Sequence, residues 1–322
     1  MGKIMIFGAC GNVGQYLAEY LKTKRNREDI IAVDIYQSEP IKHINVPFYS
    51  VNINIEEEFD KLPCENIDAV IDLVGPMPAR MEGYNPEEYV QTNILGTFHI
   101  AKFCVKHNIS KMIYARSFCD ILERAEDELT LKVDMPPKFD YGNYHSVYSV
   151  SQISAVELLK CIHAFYNLNV LVFRLPTIYL WSKNDVYGVK GVMQKKMYRK
   201  IIDDAIEGKP IEIWGDPSRK KDMFYVKDLC RLLYMAAESN VSLGFYNAGT
   251  GIGTTLQDQI EGIVEVFDEN RKSTISYAPE KPNAPQYIMD ITEAKNDFGY
   301  SPVYSYIEML NDMKKEKTRG LF

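Results

Sequence analysis

No run of about eighteen uninterrupted apolar residues occurs in the 322-residue chain, so no membrane-spanning helix is expected. Paired cysteines are missing too. Cys10, Cys64, Cys104, Cys119, Cys161 and Cys230 form no C-x-x-C pair and are scattered through apolar segments, which predicts buried thiols in a reducing compartment, without disulfide or metal roles. The five histidines lack ligand spacing. A basic excess is absent: 37 Lys and Arg against 44 Asp and Glu give a net charge of −7, with no electrostatic footprint for nucleic acid or an anionic membrane. There are no internal repeats, low-complexity tracts or flexible linkers. The first strand-like run begins at Lys3, leaving no room for a signal peptide, and a cytoplasmic location is expected. What remains is the composition of an ordinary globular protein, 46 % hydrophobic and 25 % charged. Its length suits one large α/β domain or a core with a smaller lobe.

The most informative segment is the first. An apolar run from Lys3 leads into Gly8, Gly11 and Gly14, spaced by three, and then into a helix-like stretch, Gln15 to Lys24. Glycines at this spacing suit a strand that turns sharply into a helix, where a side chain would keep a pyrophosphate from the backbone N–H groups at the helix N-terminus. Asn12 and Val13 lie in the same turn. A second apolar run ends in Asp34, twenty residues after Gly14, where a carboxylate can hold the adenosine ribose hydroxyls. A 2′-phosphate would be repelled there and no Arg or Lys directly follows, so NAD is expected over NADP.

Further β-type runs at Phe48–Ile53, Ala69–Val74, Lys111–Ala115 and Val170–Leu175 alternate with amphipathic stretches, notably Glu87–His107 and Ser146–Tyr166. Near-continuous apolar strands separated by helices predict a doubly wound parallel sheet covered on both faces, with ligands beyond the carboxyl ends of the strands. The alternation breaks down near Ile178. A loop over Trp181–Gly191, a helix over Val192–Glu207, a strand between Gly208 and Asp216, and helices over Val226–Glu238, Leu256–Phe267 and Tyr306–Lys317 follow. The expected division is residues 1–177 as the dinucleotide-binding domain and 178–322 as a smaller α+β lobe that does not fold alone.

The order of motifs resembles the extended short-chain dehydrogenase/reductase family, in its nucleotide-sugar epimerase and dehydratase branch, from Lys3 to about Pro302. That resemblance implies a Rossmann domain with a substrate lobe, bound NAD and a nucleotide-sugar substrate. Asn52-Ile53 stands where the family has an acidic residue and a hydrophobic one against the adenine. Leu73-Val74-Gly75 is similar to the strand end beside the dinucleotide. Asn93 lies in the family's helix signature, usually in a structural role. Lys111 to Ser117 resembles the strand that ends at the catalytic Ser or Thr.

Tyr148-Ser-Val-Ser-Gln152 is the departure. The family has Tyr-x-x-x-Lys on one helix face, the tyrosine exchanging a proton with a sugar hydroxyl and the lysine holding the nicotinamide ribose and lowering the tyrosine pKa. Here Tyr148 is present and Gln152 replaces the lysine. A tyrosine at its ordinary pKa of about 10 is only ~0.1 % ionised at pH 7, and bringing it to neutrality takes about 4 kcal/mol of preference for the phenolate. Glutamine can still hydrogen-bond a ribose but brings no charge. Oxidised nicotinamide could supply part of that term, and Lys183, after Tyr179, is the nearest substitute cation.

In the second lobe, Arg174 to Tyr179 is similar to the family's pyrophosphate-contacting stretch, with Thr177 in place of Asn. Gly215 to Asp228 resembles its phosphate-binding motif, with Lys221 for Arg and Arg219 two residues before; Lys281-Pro282 matches a further basic contact. Lysine meets a phosphate as a point charge without the bidentate fork. Phe118 and Cys119, rather than acidic residues, follow Ser117, which favours an epimerase or ketoreductase over a dehydratase. The alternative reading is a weakly active or inactive NAD- or nucleotide-sugar-binding sensor or scaffold. The helices Glu87–His107 and Ser146–Tyr166 match those the family uses for a homodimer interface.

Overall fold

The short aliphatic runs pair edge to edge. The computed structural model describes residues 2–77, 84–189 and 192–322. Seven strands, β1 (Lys3–Phe7), β2 (Ile30–Asp34), β3 (Phe48–Ser50), β4 (Ile67–Asp72), β5 (Lys111–Ser117), β6 (Asn169–Leu175) and β7 (Leu243–Asn247), form one parallel sheet in the order β7-β6-β5-β4-β1-β2-β3. Successive residues feed opposite faces. Ile4, Ile6, Ile113 and Phe173 share a core with α1 (Asn12–Lys22). Met5, Phe7, Met112 and Val172 pack against α2 (Thr97–Lys106) and α3 (Ser146–Tyr166). The strand order reverses between β1 and β4, which opens a crevice at the carboxyl ends. The fold is the doubly wound α/β architecture expected.

The boundary at residue 177 does not divide this sheet. After the smaller elements beyond Ile178, the chain returns through α4 (Val226–Glu238), which packs on α1, and adds β7 to the edge at β6. Lys111, 5 % exposed, holds that return in place: its ammonium donates to Ala236 O at 3.1 Å and Ala237 O at 2.7 Å, carbonyls at the end of α4.

Two helix expectations are revised. The stretch Glu87–His107 is helical in three parts, with a π-helical segment, Val90–Gly96, between Pro86–Tyr89 and α2. The wider turn carries Asn93, which is 1 % exposed. The helix expected from Val192 begins at Met197, because Val192–Lys195 pairs antiparallel with Val186–Val189. Valines at 186, 189 and 192 favour an extended chain, so the loop expected over 181–191 contains a strand, its residues 190 and 191 lying outside the described ones. The rest of the lobe joins short pairs, Ile211–Trp214 with Ile275–Ala278 and Lys220–Asp222 with Gly253–Thr255, to helices Leu256–Phe267 and Tyr306–Arg319.

Candidate active site

At the end of β1 the backbone turns too tightly for side chains. Gly8 has φ +77°, and a Cβ there would meet the Leu73 carbonyl carbon at 2.9 Å; one on Gly14 would lie 2.2 Å from Gly8 O. These two glycines are required by a left-handed turn and a close helix approach. Gly11 stands at the N-cap of α1, where no side chain caps the helix and no acidic residue occupies the first turn. An uncapped helix N-terminus suits an anion. Asp34 ends β2 beside this turn, its carboxylate accepting Cys10 N–H at 2.9 Å and Ile35 N–H at 2.8 Å. Asn12 accepts a hydrogen bond from Ser182 Oγ at 3.2 Å, and Tyr16 of α1 donates to Trp181 O at 2.8 Å. The loop after β6 thus clasps the turn.

The walls of this cradle come from β4 and the π-helical segment. Val74 N–H donates to Asp72 Oδ1 at 3.0 Å, and Thr97 Oγ to Asp72 Oδ2 at 3.2 Å. Asp72 is fully buried, and that burial pushes its carboxyl up to about 7. Asn93 donates to Ser151 Oγ at 2.9 Å, which ties the π segment to α3. Its Oδ1 is buried without a partner among the described residues, 3.2 Å from where a Cβ on Gly75 would sit. Ile53 is buried and packs where Gly96 leaves room, while Asn52 spends its Oδ1 on Asn54 N–H at 3.0 Å. A glycine turn, an uncapped helix, a carboxylate at the end of β2 and an orphan amide oxygen fit a dinucleotide.

Ser117 ends β5 at the same edge of the sheet. Gln152 joins it to Tyr148: its Oε1 accepts Ser117 N–H at 2.8 Å and its Nε2 donates to the Tyr148 oxygen at 3.2 Å. Tyr148 is 3 % exposed and packs edge-on against Tyr89, ring centroids 5.5 Å apart. Burial first, then Cys119 and Tyr114, push its phenol well above the ordinary tyrosine value, against hydrogen bonds with Ser117 and Gln152. None of these groups is a cation. Lys183 is exposed and is not among them; its N–H donates to Phe322 O at 3.2 Å.

Next to Ser117 lies a charged cluster that motif reading did not assemble. Asp120, 2 % exposed, takes Arg116 Nη2 at 3.0 Å and Arg174 Nη2 at 3.1 Å on one oxygen. Burial lowers the Arg174 pKa to about 10. A charge among the apolar residues after a strand was the available signal. Tyr287 was also missed. It accepts Thr177 N–H at 3.4 Å, touches Phe118 with centroids 4.8 Å apart, and carries the Lys221 ammonium 5.5 Å from its ring. Thr177 and Lys221 therefore meet on one buried aromatic that reaches back to the strand end bearing Ser117. Arg219 donates through Nε to Ala284 O at 2.6 Å, and Lys281 lies 5.4 Å over the Trp214 ring. Asp222, fully buried, anchors this region by accepting Thr250 N–H at 2.9 Å and Met289 N–H at 3.2 Å.

Residues 4–249 match the NAD dependent epimerase/dehydratase family. The chain belongs to that family. A putative UDP-glucose 4-epimerase of Methanocaldococcus jannaschii is 23 % identical over 304 residues, 93 % of each chain. A UDP-glucuronate 4-epimerase of Thermodesulfobacterium geofontis is 26 % identical, covering 96 % of this chain and 94 % of its own. Among solved structures, the UDP-glucose 4-epimerase of Thermotoga maritima with UDP-glucose superimposes with a TM-score of 0.80 at 22 % identity, over 99 % of this chain and 100 % of that one. The UDP-glucuronic acid 4-epimerase of Bacillus cereus with NAD gives 0.72 at 20 % identity, over 99 % and 98 %. Membership accounts for the cradle and the sheet order.

Proposed function

We propose that this chain is an NAD-dependent enzyme acting on a nucleotide-linked sugar, with Ser117, Tyr148 and Gln152 as its reacting end. The observation that carries the reading is that these three residues are hydrogen-bonded together, Ser117 through its backbone N–H, at the same sheet edge as the glycine turn. When bound, NAD exchanges hydride with a sugar carbon. Tyr148 moves the proton of the reacting oxygen, and Ser117 hydrogen-bonds that oxygen. Gly8, Gly11, Asn12, Val13 and Gly14 hold the diphosphate and Asp34 the adenosine ribose; Asn52, Ile53, Leu73, Val74, Gly75 and Asn93 line the rest of the cofactor groove. Thr177, Arg219, Lys221 and Lys281 receive the nucleotide's phosphates. Phe118 and Cys119, not acidic residues, directly follow Ser117, and Asp120 beyond them pairs through one oxygen with two arginines, which supports epimerisation or ketoreduction over dehydration.

The reading extends to a homodimer. Val150 and Leu158 on α3 are 41 % and 37 % exposed, while Ala155 between them is buried. Leu95, on the neighbouring π segment, is 48 % exposed. This apolar pair of helices suits a two-fold contact.

Calorimetry with NAD and NADP, followed by absorbance at the NADH band on adding UDP-, GDP-, CDP- and dTDP-sugars, tests the function. NAD binding with NADH formation supports it. Tight NAD binding without hydride transfer to or from any sugar supports a sensor instead, and no binding of either dinucleotide removes the reading.

A further inference from the structure

Asn12 opens α1, and its side chain is held by a residue 170 positions away. Its Oδ1 accepts the Ser182 hydroxyl at 3.2 Å, while Ser182 Oγ itself accepts Asn184 N–H at 3.1 Å. A hydroxyl has one hydrogen to give, so the Asn12 amide is fixed with its oxygen toward Ser182. Among the described residues nothing accepts from its Nδ2. Two braces keep Ser182, 7 % exposed, in place. From helix Met197–Ile206, Arg199 donates to Ser182 O at 2.8 Å and lays its guanidinium 3.5 Å over the Trp181 ring. From beyond helix Tyr306–Arg319, Phe322 does two things at once. Its ring stacks on Tyr16 of α1 with centroids 3.8 Å apart, and its O accepts Lys183 N–H at 3.2 Å. Tyr16 in turn donates to Trp181 O at 2.8 Å. Arg319, 5.6 Å over the Phe322 ring, pairs with Glu19 of α1. Phe322, buried among these groups, thus bridges the loop and the helix on which the loop acts.

We infer that Ser182 is a positioning residue for the cofactor diphosphate, turning the Asn12 amide so that its NH₂ end is the one offered to phosphate, and that Phe322 keeps Ser182 seated. The inference rests on the proposed function and adds to it a grip controlled from residues beyond Ile178. The amides of the glycine turn belong to the backbone and stay where the sheet puts them. The Asn12 donor is different, because its direction lasts only while the loop lies on α1. With the loop lifted, the amide rotates freely, an oxygen lone pair faces the phosphate as readily as a donor does, and the dinucleotide leaves faster.

NAD affinity and the stability of the ligand-free protein, read side by side, separate this role from a structural one. Asn12→Asp keeps the shape and the acceptor for Ser182 but replaces the donor with a negative charge. A carboxylate in the first turn favours a helix N-terminus, so the thermal midpoint of the free protein is expected to hold or rise. Calorimetric NAD affinity is expected to fall at least about tenfold. Ser182→Ala is expected to weaken NAD about threefold to tenfold, and Phe322→Ala to do the same and to speed NAD release. Because Phe322 acts through Ser182, the double variant is expected to match the weaker-binding single one. Unchanged NAD affinity in Ser182→Ala or Asn12→Asp overturns the inference. So does an Asn12→Asp midpoint that falls with the affinity, or a double variant whose losses multiply. If Phe322→Ala does not fold, Ser182→Ala and Asn12→Asp still decide. Wild-type protein that binds neither NAD nor NADP would instead remove the proposed function beneath.

Discussion

The two ends of the cleft are specified by different physics. At the glycine turn the determinants are steric. A Cβ at Gly14 has a carbonyl oxygen 2.2 Å away, and Gly8 has a φ that side chains avoid. At the tyrosine end the determinants are charge and donor direction: Gln152 is neutral, takes the Ser117 N–H on its Oε1 and turns its Nε2 to the Tyr148 oxygen. A steric requirement of this kind leaves glycine as the residue that fits. An electrostatic one is met by where donors and acceptors point, as in the 2.8 and 3.2 Å contacts of Gln152.

The sharpest separation of the two ends is Tyr148→Phe. Removing the transferable proton should cut turnover by about 10²–10⁴ while NAD affinity in calorimetry is unchanged; equal losses in both would merge the two ends into one. Gly14→Val is the converse. Its branched side chain must displace the Gly8 carbonyl, at a cost of about 1–3 kcal/mol. The thermal midpoint should fall and NAD affinity should drop at least about tenfold. Asp72→Asn probes the wall between them. The folded-state carboxyl titrates at about 7, above the ordinary value of 3.8. The native state thus binds the proton more tightly than the unfolded chain, and stability present below pH 4 is lost as pH rises through 7. Three pKa units set an upper bound of about 4 kcal/mol. The amide substitution should flatten the profile and leave the variant more stable than wild type at pH 8 in denaturant titrations; parallel profiles would remove Asp72 as the cause. The smallest change is Lys281→Ala. Its ammonium is exposed over Trp214, worth about 0.5–1 kcal/mol, so nucleotide-sugar affinity should shift by less than about fivefold.

Much of this was legible in the residues. Strands β1, β2 and β5, helix α3 and the glycine turn follow from unbroken apolar runs and from a glycine spacing that, between such a run and a helix-like stretch, suits a strand-to-helix turn. Position 192 misled because Val-Met-Gln-Lys is compatible with both periods, and pairing with Val186–Val189 decided it. Asp72 was hidden inside an apolar strand, where a carboxylate gives no pattern. Asp120, Arg116 and Arg174 come together only through the adjacency of β5 and β6, and Tyr287 reaches Thr177 from 110 residues away. Local periodicity carries no information about such distant partners. Gln152 was visible as a departure, but the direction of its amide was not, since that depends on the Ser117 N–H.

The seventh strand bears on how the protein is made. Until residue 247 has left the ribosome, β6 has one side without a neighbour, and Phe173 lacks the Tyr246 ring that stacks 5.0 Å away. A nascent chain halted near 177 would present that open rim to other chains, a template for aggregation. Synthesis of the cofactor half alone, as a soluble fragment, is therefore the wrong way to divide this molecule.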